Sequence, residues 1–146
     1  MRFALSFAAA LLAATPATAE WVTRQSDGFA QTRFTDGRYT LEISCRSGRG
    51  FELVLKDPSL QGFDDVKGLM LWLTLPDGRT DRWPVDVTPE GPALSGVLYV
   101  SDFNLEFFRN GRSFQLDAPL TGEVFLKGNM KGTGAARLAF LERCGV

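Results

Sequence analysis

Hydrophobic and polar residues alternate with a period of two along most of the chain that follows residue 28. This period is typical of β-strands that bury one face and expose the other. The segments that show it are separated by turns rich in glycine, proline and aspartate, and they cover residues 29–35, 38–45, 51–56, 67–75, 79–85, 94–100, 112–117 and 123–127. We therefore predict a mainly β, antiparallel fold of about seven to nine strands, either a β-sandwich or a partly open barrel.

The hairpin between residues 29 and 45 has the clearest register. Asp36-Gly37 separates its two alternating segments, and glycine readily adopts the positive φ that such a tight turn requires. In the second segment Leu41, Ile43 and Cys45 point to one face, and the intervening polar residues point to the other. Cys45 is therefore predicted to face the core.

Two segments follow a helical pattern instead. Ser101 can cap a short helix near residues 103–109, because a serine hydroxyl accepts hydrogen bonds from the free amides of the first turn. A C-terminal helix is predicted near residues 133–144, with Thr133 as its cap and Gly145 as its end. We expect this second helix to close the fold.

The C-terminal helix carries the second of the two cysteines. Ala136, Phe140 and Cys144 recur every four residues and share one face, whereas Arg137 is expected on or near the outer side. A cysteine on the packing face of a terminal helix needs a partner, and Cys45 is the other cysteine of the chain. We predict a structural Cys45–Cys144 disulfide. The alternative, a redox-active pair, lacks the C-x-x-C spacing of such sites.

Three further predictions concern the middle of the chain. Residues 67–75 are almost continuously apolar, which is typical of a strand covered on both faces. Pro84 lacks the amide that a central strand needs, so its strand is expected at a sheet edge or ending at that residue. The segment 88–92, with two prolines and a glycine, is predicted to be a loop.

Residues 1–19 have the three parts of a secretory signal peptide. Arg2 supplies the basic region, residues 3–14 the apolar region, and Ala17-Thr18-Ala19 the cleavage signal. The apolar region is shorter than the ~20 residues of a membrane-spanning helix, and no later segment approaches that length. We therefore expect one β-rich domain at residues 20–146 in a periplasmic or secreted protein, a compartment that suits paired cysteines.

Charge and composition restrict the chemistry. Lysine and arginine number 16 and aspartate and glutamate 17, and the net charge of −1 argues against nucleic acid or an anionic membrane as the main partner. The chain has no histidine, which excludes Ser-His and Cys-His dyads and the commonest zinc ligand. Neither a P-loop nor a dinucleotide fingerprint is present. We therefore expect no catalytic, cofactor-binding or metal-binding residues.

Aspartates are the remaining candidates for acid–base chemistry or cation binding. Asp64 and Asp65 are adjacent in a polar loop, and Asp77 and Asp81 flank one hairpin. A solvated loop explains the first pair, and turn chemistry explains Asp77, which precedes a glycine. The sequence therefore does not predict an enzyme.

Trp83, Phe107 and Phe108 form the candidate binding surface. Neighbouring residues on a helix lie about 100° apart, so the rings of Phe107 and Phe108 are not expected to point inward together. Trp72 and Trp83 lie on neighbouring predicted strands and could form a cross-strand pair. Two interpretations remain open: an apolar patch that binds a partner, or a core with one ordinary exposed ring.

Three segments, residues 41–45, 105–116 and 134–144, carry a resemblance to known proteins. Together with the exported start, they resemble the exported bacterial proteins of the invasion-associated locus B family and, more distantly, periplasmic proteins that accompany type VI secretion. The resemblance touches about a third of residues 20–146. It implies a β-rich fold with a helix-to-strand disulfide, an envelope location and a non-enzymatic role, although the second cysteine pair usual in that family is missing here.

We therefore expect an exported, non-enzymatic binding or interaction module of the bacterial cell envelope, which engages another envelope protein through an apolar patch or strand edge. The alternative is a secreted inhibitor or small-ligand carrier that uses a barrel-type interior or a loop. Arg46 and Arg49, in the turn before Phe51, would add a small basic rim, or else be an ordinary solvated turn. No cofactor is expected, and the oligomeric state is left open.

Overall fold

The computed structural model describes residues 19–57, 59, 63 and 65–146. The predicted signal peptide at residues 1–19 therefore lies, except for Ala19, outside the described residues, and so does Asp64. Within the described part of the chain, no helix is both long and apolar enough to cross a membrane.

Ten strands and two helices make up the described part of the chain. In chain order they are β1 (Val22–Ser26), β2 (Phe29–Asp36), β3 (Tyr39–Arg46), β4 (Gly50–Lys56), β5 (Gly68–Thr74), β6 (Thr80–Asp86), β7 (Thr88–Glu90), β8 (Ala93–Leu98), α1 (Asp102–Asn110), β9 (Ser113–Ala118), β10 (Glu123–Asn129) and α2 (Thr133–Cys144). The mainly β prediction and both predicted helices are confirmed. The strands exceed the predicted number because β1 and β7 are short, mostly exposed strands without an apolar alternation.

Two antiparallel sheets pack face to face as a β-sandwich. The larger sheet has the order β1-β2-β3-β4-β8-β7, and the smaller sheet has the order β10-β9-β5-β6. Of the two predicted architectures, the sandwich is confirmed; the sheets do not close into a barrel.

The sheet edges explain one correct and one wrong prediction. Pro84 lies in β6, which is an edge strand as predicted. The segment 88–92 is not entirely a loop, because Thr88 and Glu90 pair with β8 across a tight turn. Pro89 is tolerated in β7 because this strand also lies at an edge.

Strand β5 is covered on one face, not on both as predicted. Leu69, Leu71 and Leu73 are buried between the sheets, whereas Met70 and Trp72 are partly exposed on the outer surface. The Nε1 of Trp72 donates to Oδ2 of Asp117 at 3.0 Å, which satisfies the polar end of the ring. The apolar sequence of β5 is therefore continuous because its outward face also carries apolar residues, although only its inward face is covered by the other sheet.

Aromatic side chains fill one end of the space between the sheets. The ring of Trp21 lies 5.5 Å from that of Phe34, 5.2 Å from Phe108 and 5.1 Å from Phe114, measured between centroids. The Trp21 Nε1 donates to the carbonyl oxygen of Asn129 at 3.1 Å, so the buried indole keeps a hydrogen-bond partner. These contacts bring the chain before β1 into the same core as α1 and β9.

Helix α2 packs against β1, β2 and α1 and is joined covalently to the larger sheet. Ala136 and Phe140 are buried, and the Phe140 ring lies 5.0 Å from that of Phe51. The disulfide between Cys45 in β3 and Cys144 spans 6.2 Å between the Cα atoms. Both the packing face of the helix and the predicted cysteine pair are therefore confirmed.

Two details of α2 differ from prediction. Thr133 does not cap the helix; its buried hydroxyl donates to the carbonyl oxygen of Met130 at 2.8 Å, and Gly132 occupies the cap position. Arg137 is not on the outer surface, because its guanidinium is largely buried between Asp102 and Glu106 of α1. The long arginine side chain extends into the interface between the two helices, where it lies beside carboxylates of the neighbouring helix.

Candidate functional site

The predicted surface of Trp83, Phe107 and Phe108 is buried. Their exposed fractions are 3%, 7% and 0%, respectively. The prediction that one of the two helix rings is exposed is therefore wrong. The exposed ring of α1 belongs to Phe103, one turn earlier.

Both rings are buried because α1 is covered in two directions. Phe108 points between the sheets, where its ring lies 5.8 Å from that of Trp83. Phe107 points toward the β5–β6 turn, where the Arg79 guanidinium lies 5.9 Å from its centroid, and Phe103 covers it at 5.0 Å. The angle of about 100° between adjacent residues of a helix makes the two rings point in different directions, but it does not determine whether either direction faces solvent.

Trp72 and Trp83 are not a cross-strand pair. Leu71 pairs with Trp83 and Trp72 pairs with Arg82, so the two indoles lie on opposite faces of the smaller sheet. A shift of one residue in register moves a side chain to the other face, and the sequence spacing alone had not fixed this register. Trp83 faces the core, and its Nε1 donates to Oδ2 of Asp81 at 2.8 Å.

The described aspartates have structural roles or lie in solvent. Asp77 accepts hydrogen bonds from the amide and the guanidinium of Arg79, which lowers the pKa of its carboxyl. Asp81 accepts from Asn104 Nδ2 at 2.7 Å as well as from Trp83, so it connects β6 to α1. Asp65 is exposed. Among the residues that the structure describes, no three cysteine, aspartate or glutamate side chains come close enough together to hold a metal ion.

The outer face of the larger sheet carries a depression at the surface. It has a volume of about 370 Å³ and is lined by residues that alternate with the buried ones of β2, β3, β4 and β8. A second depression, of about 420 Å³, adjoins it through Val97 and lies where β8 passes the edge strand β6. We call the two together the sheet groove, which is lined by Phe29, Gln31, Glu42, Arg46, Arg49, Glu52, Val54, Lys56, Val97, Tyr99, Pro84 and Asp86.

Cross-strand contacts fix the polar floor of the sheet groove. Lys56 Nζ lies 2.8 Å from Glu42 Oε2, and the Ser95 hydroxyl donates to Glu52 Oε1 at 2.7 Å. Gln31 Nε2 donates to the same Glu42 oxygen at 3.3 Å. These side chains stand on hydrogen-bonded strands, so the floor is formed before any ligand binds.

One end of the sheet groove is basic. Arg46 closes β3, and its guanidinium lies over the Phe29 ring at 4.7 Å from the centroid. The amide of Arg49 donates to the carbonyl oxygen of Arg46 at 3.0 Å, so the two arginines belong to one tight turn. Among the described residues, neither guanidinium takes part in an ion pair. The sequence had indicated this basic turn but not the groove beside it.

The other end of the sheet groove is mainly apolar and includes one carboxylate, that of Asp86. Tyr99 is 90% exposed and Val97 is 52% exposed, and both line the second depression with Pro84. The sequence contained a signal for these two residues. Within the predicted strand 94–100 they occupy the outward phase, opposite to the buried Leu94 and Leu98, where polar residues are usual.

An ion pair with a buried carboxylate lies at the end of β4, near the Lys56 side of the sheet groove. The Asp57 side chain is fully buried, and the Arg38 guanidinium holds the pKa of that carboxyl well below its usual range. The amide and the hydroxyl of Ser59 donate to Oδ1 of Asp57 at 2.9 and 2.6 Å and lower the pKa further. The Asp57 carboxylate therefore has a structural role.

Comparison of the chain with protein-family models, with curated proteins and with solved structures gives no match.

Proposed function

We propose that the protein is an exported, periplasmic, non-enzymatic binding or interaction module of the bacterial cell envelope, and that it binds an envelope protein through the sheet groove. The observation that carries this proposal is the exposed pair Val97 and Tyr99 beside a preformed depression. Tyrosine and arginine are enriched among residues that dominate protein interfaces, and both types line this groove.

Position on a sheet adds to the argument. Val97 lies in β8 and pairs with Glu52 of β4, whereas β7 pairs with β8 at residues 93–95. A side chain on a hydrogen-bonded strand loses little backbone freedom when a partner covers it, so more of the contact energy remains for binding. Leu120, another exposed apolar residue, lies in the β9–β10 turn and lines a smaller depression of about 250 Å³.

The interior favours a binding module over the carrier alternative. Between the sheets, the ring of Trp21 contacts those of Phe34, Phe108 and Phe114, and Phe34 also contacts Phe114. The sheets form a sandwich and not a closed barrel. A small-ligand carrier needs an interior compartment, whereas the depressions described above lie on the outer surface.

Export is part of the same proposal. The sequence of residues 1–19 has the pattern of a secretory signal peptide. The disulfide between Cys45 and Cys144 is compatible with an oxidising compartment, where such bonds form and persist.

Site-specific photo-crosslinking in the native bacterial host tests the proposal. A photoreactive amino acid at position 99 should give a discrete adduct with an envelope protein, because Tyr99 lies in the sheet groove. The matched control carries the same group at position 138, where Leu138 is also exposed but lies on α2. Cell fractionation of the tagged full chain supplies the location. Equal adducts at both positions, no adduct at position 99, or a cytosolic protein would each contradict the proposal.

A further inference from the structure

The basic end of the sheet groove carries an inference about the partner, which rests on the proposed function. We propose that the groove binds an extended protein segment that presents an acidic side chain to Arg46 and Arg49 and, next to it, an apolar side chain to Val97 and Tyr99. The inference thus assigns a chemistry to the bound segment.

The two arginines are arranged to receive a carboxylate. The Phe29 ring supports one face of the Arg46 guanidinium, which limits the rotamers of that side chain. Arg49 follows in the same turn and lines the same depression. A guanidinium offers parallel N–H groups that match the two oxygens of a carboxylate. Since neither arginine is in an ion pair with a described residue, a ligand does not have to displace such a partner.

The sign of the charge changes along the groove. Glu52 lies on β4 between the arginine turn and Val97, with which it pairs across the sheet. Its Oε1 accepts from Ser95, which is a neutral donor, and among the described residues no cation forms an ion pair with Glu52. The backbone N–H groups of an extended segment can donate to such a carboxylate. A ligand that places one acidic group at the arginines and neutral residues at Glu52 and Val97 is therefore complementary to the charges of the groove.

This order of charges argues against a polyanion. Nucleic acid or a poly-phosphorylated headgroup would place a second negative charge near Glu52, and like charges at short distance in a depression repel. Glu42, on the neighbouring strand, lines the groove as well, although Lys56 neutralises it at 2.8 Å. The apolar end, with Val97 and Tyr99, needs an apolar group on the ligand. A protein segment supplies both kinds of group at a spacing of a few residues.

The test is a selection of random peptides on the full chain purified from its host. Wild-type protein should enrich peptides with aspartate or glutamate next to an apolar residue. The Arg46→Gln/Arg49→Gln variant should lose this enrichment and bind the selected peptides at least about tenfold more weakly, the loss expected from charge-assisted hydrogen bonds. The control is Arg82→Gln, because Arg82 is exposed on the outer face of the smaller sheet. Thermal melting checks that each variant is folded, and Arg49→Gln alone replaces the double variant if that one does not fold.

Enrichment of basic or uncharged peptides, equal binding by the double variant, or an equal loss in Arg82→Gln would each overturn the inference. Competition by inorganic phosphate as strong as that of the selected peptides would also overturn it and assign a phosphate site. The proposed function fails separately. If position 99 crosslinks to an envelope protein but acidic peptides are not enriched, only the inference falls; if acidic peptides are enriched but position 99 gives no adduct, the proposed function falls.

Discussion

Gly96 and Gly132 lie where the backbone of another segment leaves no room for a side chain. A Cβ atom at position 96 would lie 2.4 Å from the carbonyl oxygen of Asp86, so β8 can pass β6 only without a side chain there. A Cβ atom at position 132 would lie 2.2 Å from the carbonyl oxygen of Trp21, and the φ of 99° at this residue also favours glycine. The lack of a side chain at each of these two positions thus allows the two sheets, and the start of the second helix, to pack closely.

Replacing Gly96 with alanine should lower the free energy of unfolding by roughly 1–3 kcal/mol, the usual cost of overpacking, because a backbone oxygen cannot rotate away. Chemical denaturation measures this change. Gly134→Ala is the control, since a Cβ atom there meets no atom within 4 Å and alanine favours the helix by up to about 1 kcal/mol. A Gly96→Ala protein as stable as the wild type would contradict the close approach of β8 and β6.

The Asp57 carboxyl should make stability depend on acid pH. Because the folded-state pKa of Asp57 lies below its value in the unfolded chain, the stabilisation is present above pH ~4 and is lost as the pH falls below it. Asp57→Asn should be less stable near neutral pH, since the ion pair between Arg38 and Asp57 is lost, and should show a smaller loss of stability between pH ~5 and ~3. Urea unfolding across this range measures both slopes. Asp27→Asn, at a fully exposed carboxylate, should keep the wild-type slope.

The sequence predicts single residues well where one face of a strand is clearly apolar. Cys45 follows the phase of Leu41 and Ile43, and it is buried as predicted. Phe107 and Phe108 were harder, because their burial depends on Arg79 and Trp83, which lie far away in sequence and cover two directions of α1. Helical geometry fixes the angle between two side chains, whereas the fold decides what covers each of them.

Among the elements, α2 shows which features the sequence determines. Its extent and packing face follow from the spacing of Ala136, Phe140 and Cys144, and both agree with the structure. Its start does not follow in the same way, because Gly132 takes a left-handed conformation that lets the hydroxyl of Thr133 turn to Met130. Short edge strands such as β1 and β7 are also missed, because most of their residues are exposed and show no apolar alternation.

Phe140→Ala should lower the free energy of unfolding by roughly 3–5 kcal/mol, because the ring is fully buried against Phe51 and leaves a cavity. Leu138→Ala is the control on the same helix, where the side chain is exposed and the expected change is within about 0.5 kcal/mol. Equilibrium denaturation gives both values. Equal values for the two variants would mean that α2 is not docked on the sandwich.

Removing the disulfide in the Cys45→Ala/Cys144→Ala variant should lower the thermal midpoint markedly. The bond joins residues separated by 99 positions, and a loop of about a hundred residues corresponds to at most ~4–5 kcal/mol of unfolded-state entropy. The double variant avoids an unpaired cysteine in the core. Reduction of the wild-type protein should bring its midpoint close to that of the variant. A midpoint unchanged in both experiments would show that packing alone holds α2 in place.

At the scale of the whole molecule, the sequence predicts an antiparallel sandwich or partly open barrel, of which the structure has the sandwich, but it does not predict the sheet groove. The turns and alternating segments determine the two-sheet architecture, and the aromatic residues singled out for binding serve instead as its core. The sheet groove depends on the order β3-β4-β8, in which β8 follows β4 only after an excursion through the smaller sheet. That order brings the arginine turn and Tyr99 to one face, although they lie some fifty residues apart in sequence.

Binding through the sheet groove should depend on Tyr99. With the envelope partner identified by crosslinking, Tyr99→Ala should weaken binding by about 2 kcal/mol or more, which is roughly thirtyfold in Kd, because truncating an aromatic anchor that the partner covers has effects of this size. Leu120→Ala is the matched control, since Leu120 is nearly as exposed but lies outside the sheet groove. Asp65→Asn and Asp77→Asn should change binding by less than about 1 kcal/mol, as exposed surface residues usually do. Calorimetric titration measures all four variants. An equal loss of affinity in Leu120→Ala would place the interface at the β9–β10 turn instead. If the protein turns over an envelope substrate, and Asp65→Asn or Asp77→Asn abolishes this turnover without unfolding the protein, its function is catalysis and not binding.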